Sequence, residues 1–101
     1  DVYKRQLMIP SGVKKIAQGT FSGCYQLSGT ITLSEGVEIV EQNAFHGCSQ
    51  IETIDLPSTI EQIESLSFSQ CPGVQNILCH GSLDTVSLRN LPYGIKIVYT
   101  D

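Results

Sequence analysis

The sequence predicts a β-rich α/β fold: a right-handed solenoid of stacked coils with parallel strand ladders, closed at its C-terminal end by a capping helix and strand. Three observations carry that reading. The same pattern runs through Ile9–Thr32 ("IPSGVKKIAQGTFSGCYQLSGTIT"), Leu33–Asp55 ("LSEGVEIVEQNAFHGCSQIETID") and Leu56–Leu78 ("LPSTIEQIESLSFSQCPGVQNIL"). Units of about 23 residues held over three copies belong to stacked coils rather than to one globular core. Phe21, Phe45 and Phe68 fall in register, each followed three residues later by Cys24, Cys48 and Cys71. Every remaining apolar position also recurs, which is what inward-pointing positions of a solenoid require.

The columns are read one at a time. Ile9, Leu33, Leu56 and Cys79 form the first; Val13, Val37 and Ile60 the next; then Ile16, Val40 and Ile63. After the Phe and Cys columns come Leu27, Ile51 and Val74, and last Leu7, Ile31, Ile54 and Ile77. Around "TITL", "TIDL" and "NILC" apolar and polar residues alternate and β-branched residues are common, so these stretches are short strands. Parallel pairing between coils needs a crossover of about a dozen residues or more, and the repeat leaves room for one. Its hand is expected to be right.

Within each coil a second short strand is expected at "VEIV", followed by one helical turn at "NAF". A helix over Val37 to Ile51 competes, because Val37, Val40, Ala44, Cys48 and Ile51 recur at near-helical spacing. Gly36, Gly47 and the β-propensity of "VEIV" favour strand and turn. Gln70 stands where the earlier coils have Gly23 and Gly47, so that turn is expected not to need a positive φ, and a single α or 3₁₀ turn answers the pattern.

From Cys79 the repeat dissolves. Ser82 reads as an N-cap with Asp84 in the first turn, Leu83, Val86 and Leu91 share one helical face, and Pro92 with Gly94 stops the helix. "IKIVY" alternates as a closing strand, and "LPYGIKI" echoes "IPSGVKK" as a partial repeat. A terminal unit that carries Asp84, Arg89 and Asn90 outward is a cap over the last coil. "DVYKRQ" fits no column and reads as a translated sequencing adapter, a non-native lead-in, with the true N-terminus expected upstream. The organisation is therefore a lead-in over 1–6, three repeats with a partial first strand over 7–78, and a cap over 79–101.

Charged residues make up 16% of the chain and the formal net charge is −4, so no basic surface exists to neutralise phosphates. Nucleic acid and anionic membrane surfaces are disfavoured partners. No apolar run approaches the ~18 residues of a bilayer-crossing helix.

Cys24, Cys48, Cys71, His46 and His80 invite a disulfide or metal reading. Neighbouring strands lie ~4.8 Å apart, whereas bridged Cβ atoms sit ~3.8 Å apart, so a regular ladder holds its thiols too far apart to bond. Zinc wants close ligand pairs, which are missing. The thiols, Cys79 included, are expected to be buried and free, acting as small apolar groups with a weak donor for turn carbonyls. No cofactor and no metal are expected. Both His stand beside Gly in turns, no nucleophile adjoins a base, and no Gly-rich phosphate loop is present, so the chain reads as no enzyme. Glu38, Glu41, Glu61 and Glu64 recur as solvated stripes.

The candidate partner-binding surface is the outward side of the main sheet. Gln6, Thr30, Thr53 and Asn76 form one exposed column there, and Met8, Thr32, Asp55 and Leu78 the next. A stacked sheet offers a flat, rigid platform that touches a partner over several coils, although no Trp or Tyr cluster marks a hot spot.

From Ile51 to Cys71 the columns spell "I-x-x-I-x-L-P-x-x-I-x-x-I-x-x-x-x-F-x-x-C". This resembles the BspA-like leucine-rich repeat, also called the Treponema pallidum type, over Leu7 to Leu78, with the tail as its C-terminal cap. Departures are one extra residue near Gly29, Thr20 and Ser67 in the Ala44 column, and Ser34 in the Pro10 and Pro57 column. The resemblance implies a leucine-rich-repeat solenoid, and a bacterial or protist cell-surface or secreted protein that binds a protein ligand in adhesion to host proteins or other cells. The alternative is a passive spacer in a multidomain surface protein.

Overall fold

Each coil repeats one short and one longer run of β-formers separated by turns, and the copies pair edge to edge. The computed structural model describes residues 7–9 and 12–100, and of Leu7 and Met8 the backbone alone. The lead-in over 1–6 lies outside the described residues. In chain order the elements are β1 (Leu7–Met8), β2 (Lys15–Ile16), β3 (Gly29–Thr32), β4 (Ile39–Val40), β5 (Ile51–Leu56), β6 (Gln62–Ile63), β7 (Asn76–Cys79), α1 (Thr85–Arg89) and β8 (Ile97–Tyr99). The longer strands build a parallel sheet in the order β1-β3-β5-β7-β8, and the short ones a second parallel sheet, β2-β4-β6. The result is a parallel-strand solenoid of about four turns. "VEIV" gives the short strand β4, so the longer helix over Val37 to Ile51 does not form.

The interior is the set of columns read from the sequence. Ile31, Ile54 and Ile77 are fully buried, as are Val37, Val40, Phe45, Ile51, Leu56 and Cys79. The Phe column stacks, with ring centroids 5.2 Å apart between Phe21 and Phe45 and 5.1 Å between Phe45 and Phe68, both pairs near parallel. The extra residue of the first coil is absorbed where the β3–β5 register shifts, between Gly29 and Thr30, with Gly29 at φ 71°. Ser34, the departure from the Pro column, donates its hydroxyl to Ile9 O.

The turn that carries Phe and Cys is not a single helical turn. Its amides alternate. Ala44, His46 and Cys48 N–H donate to Glu41, Asn43 and Phe45 O inside the coil, whereas Phe45 and Gly47 N–H donate to Ser67 and Ser69 O of the next coil. Aiming every second amide outward requires two left-handed residues per turn: Gly19 and Gly23, then Asn43 and Gly47, then Leu66 and Gln70. Gln70 therefore does take a positive φ, 59°, against the expectation from its side chain. The bonds to the neighbouring coil impose the conformation, at a cost of about 1–2 kcal/mol for a residue with a Cβ.

The cap also differs in detail. Asp84, not Ser82, is the N-cap: its carboxylate accepts from Ser87 N–H at 2.8 Å, so the helix starts two residues later than Ser82 would place it. Val86 is 65% exposed, and the inward face is made by Ser87, Leu88 and Leu91, with Leu83 beside it. Asn90 turns inward rather than outward. Ser87 Oγ accepts from Ile63 N–H at 3.0 Å and Asn90 Nδ2 donates to Ile63 O at 2.9 Å, so two side chains close the edge of β6 where a fourth short strand would pair. The closing strand β8 pairs parallel with β7, as a further coil would.

Phe45→Ala removes the middle ring of the stack and is expected to cost about 3–5 kcal/mol, much of the roughly 5–15 kcal/mol that holds an ordinary domain. Denaturant titration checks this; a loss below about 1 kcal/mol means the column does not carry the core.

Candidate partner-binding face

Period-two alternation in β3, β5 and β7 turns Ile31, Ile54 and Ile77 inward and leaves their neighbours outward. The register brings Thr30, Thr53 and Asn76 into one row and Thr32, Asp55 and Leu78 into the next. Val98 of β8, 43% exposed, continues the second row beyond Leu78. Met8 continues it at the other end by backbone register, and Gln6 lies outside the described residues. Thr32 and Asn76 are exposed; Thr30, Thr53, Asp55 and Leu78 are half-buried by their row neighbours. Asn76 Nδ2 reaches Thr53 Oγ1 at 3.4 Å.

One residue of this face was missed as a turn histidine. His80 follows Cys79, the last inward residue of β7, so alternation sends its ring outward. There Nε2 meets Asp55 Oδ1 at 2.9 Å and Nδ1 meets Thr100 Oγ1. Counting two residues on from Leu78 would have found it. The trio orders a carboxylate, an imidazole and a hydroxyl, the sequence of groups in a nucleophilic triad. None of the three lines the cleft between Leu66 and Leu91 or the one between Gln62 and Ser87. The contacts instead tie β5 to the ends of β7 and β8, and Thr100 N–H adds a bond to Cys79 O at 3.0 Å.

The carboxylate stripes also carry structure. Glu41 Oε1 accepts from Gln18 N–H and Glu64 Oε1 from Gln42 N–H, both at 3.1 Å, so each glutamate satisfies an amide of the preceding coil. Glu41 further pairs with Lys15 at 3.6 Å. Glu35 takes both the hydroxyl and the amide of Ser58, and these two bonds hold its carboxyl below the usual range.

The four cysteines are free thiols. Cys48 Sγ donates to Phe21 O at 3.0 Å and Cys71 Sγ to Phe45 O at 3.2 Å. The Phe carbonyl of one coil thus receives the thiol of the next, which explains why the two columns travel together. Burial pushes the Cys48 thiol up to about 11 and raises that of Cys71. Among the described residues no group of three or more His, Cys, Asp or Glu could hold a metal, and no helix is long and apolar enough to cross a membrane.

The family model described as "BspA type Leucine rich repeat region (6 copies)" matches residues 4–96. Neither a curated protein nor a solved structure matches the chain.

The thiols give a pH prediction. A group whose protonated form the fold favours contributes stability that is complete below its unfolded pKa and lost as pH rises through its folded one. Stability is therefore expected to fall between the ordinary thiol value of 9.0 and about 11. Cys48→Ala should flatten that limb in denaturant titrations across pH; an unchanged alkaline limb contradicts the assignment.

Proposed function

Because the chain belongs to the BspA-type leucine-rich repeat family, matched over residues 4–96, we propose that it is the protein-binding part of a larger cell-surface or secreted protein, acting in adhesion to host proteins or other cells. Leucine-rich-repeat solenoids are as a class non-catalytic interaction scaffolds, and this family is generally found on surface or secreted proteins. The observation that carries the reading is the outward face of the five-stranded sheet. Its two rows run unbroken over three coils, from Thr30 and Thr32 through Thr53 and Asp55 to Asn76 and Leu78.

The two rows are short-chained, carry Asp55 as their one acidic residue with His80 beside it, and are bordered by the apolar Leu78 and Val98. Such a surface costs little to desolvate. It suits a protein partner, whose contacts spread over many small groups, better than a compact ligand, which needs a concave site. The Asp55–His80–Thr100 contacts stiffen the end of the platform, so less side-chain entropy is lost on docking.

Binding to immobilised extracellular-matrix protein tests the reading. Thr32→Lys with Thr53→Lys places two long cations on the face without touching the Asp55 contacts, and should weaken binding at least about tenfold, or about 1.4 kcal/mol. Glu38→Lys with Glu61→Lys, on the other sheet's side, should leave it within about twofold, with unchanged circular dichroism in both. Equal loss in both pairs removes the face assignment, and absence of binding by the native chain favours a passive spacer.

A further inference from the structure

In each of the first two coils the Phe amide and the amide two residues on are handed to the coil that follows. Phe21 and Gly23 N–H donate to Ala44 and His46 O, at 2.8 and 2.7 Å; Phe45 and Gly47 N–H donate to Ser67 and Ser69 O, at 2.7 and 2.8 Å. Phe68 and Gln70 come next in that series. Where a further turn would present its carbonyls the chain has instead the segment 89–95 of the cap. Among the described residues neither the Phe68 nor the Gln70 amide has an acceptor. The cap closes the edge of β6 through Ser87 and Asn90 but leaves this part of the coil open.

The space between turn and cap is a cleft of about 490 Å³, with Leu66, Phe68, Gln70, Arg89, Leu91 and Ile95 on its walls. That volume lies within the roughly 300–1,000 Å³ of ligand sites. Leu66 and Gln70 are the two left-handed residues of the turn, at φ 62° and 59°. Amides around left-handed residues form a concavity suited to an anion. Arg89 makes no ion pair among the described residues. In a chain of net charge −4, a cleft lined by Arg89 and by the two residues whose amides are unmatched has a local preference for negative charge. The rest of the lining mixes Ser65, Ser69 and Asn90 with an apolar wall that includes Val74, Leu91 and Ile95, with Leu66 half-exposed and Tyr93 fully exposed.

We propose that this cleft binds the C-terminal carboxylate of a partner polypeptide whose last side chain is apolar. A carboxylate offers enough lone pairs to accept from both amides and from a guanidinium at once. An ordinary peptide carbonyl would leave Arg89 unused. An Asp or Glu side chain would bring the charge on a polar stem and leave the apolar wall against water. At a chain terminus the carboxylate and the last side chain leave the same carbon, so one residue fills both halves of the cleft. None of the lining residues belongs to the sheet face, and the proposal stands apart from the adhesive reading.

The test is a titration of the ¹⁵N-labelled chain with acetyl-Gly-Gly-Ser-Leu carrying a free C-terminus, followed by amide NMR. The Phe68 and Gln70 amide resonances should move at millimolar peptide. Affinity should drop at least about tenfold for the same peptide ending in an amide, and by a similar factor for Arg89→Gln with the free-terminus peptide. The amidated peptide with Asp in place of Leu separates a side-chain carboxylate from a terminal one. Absence of movement at Phe68 and Gln70 in the native chain overturns the proposal. So does equal binding of the Leu peptide's amidated form or of the Asp peptide. The peptide arms use the native chain alone, so they decide the matter even if Arg89→Gln fails to fold.

Discussion

A coil of a parallel solenoid cannot satisfy its own backbone. Its strand amides and every second amide of its turns need carbonyls that only the adjacent coil can supply, and an unpaired buried amide costs about as much as a lost hydrogen bond. That demand explains the repeat spacing, the shared register of both sheets and the left-handed residues of the turns. Leu66 and Gln70 accept an unfavourable φ in the turn whose Ser67 O and Ser69 O receive the preceding coil's Phe45 and Gly47 amides.

Side chains extend the same logic between coils. Glu41 and Glu64 collect amides of the coil before them, the thiols of Cys48 and Cys71 reach the Phe carbonyls, and Ser87 with Asn90 stands in for the strand that would follow β6. Each is short-range and polar at the rim of a core made of aliphatic columns and one aromatic stack. On the outward sheet face this work falls to Asp55 with His80 and to Asn76 with Thr53, and the other residues of its rows can vary without disturbing the stack.

The columns were legible in the sequence because an inward position has one requirement, apolar and of suitable size, and the repeat states it three times. The main strands, the second short strands and the outward rows followed from the same alignment. What did not follow was set by polar geometry. Gln70 gives no sign of a positive φ, since the bond that demands it belongs to the neighbouring coil. Ser82 and Asp84 are both competent caps, and only the burial of Ser87 against Ile63 chooses between them. His80 looked like a turn residue because Gly81 follows it, while its place in the alternation sent it to Asp55. The glutamates looked solvated because exposed carboxylates usually are, and their amide partners lie a full coil away in sequence.

Native-state hydrogen exchange resolved by residue tests the central claim, that each coil's turn is completed by the coil after it. The account predicts slow exchange at Phe21, Gly23, Phe45 and Gly47, whose amides donate across coils, and much faster exchange at Phe68 and Gln70, which occupy the same places in the last turn. Protection at Phe68 and Gln70 equal to that at Phe45 and Gly47 would contradict it, as would rapid exchange at all six.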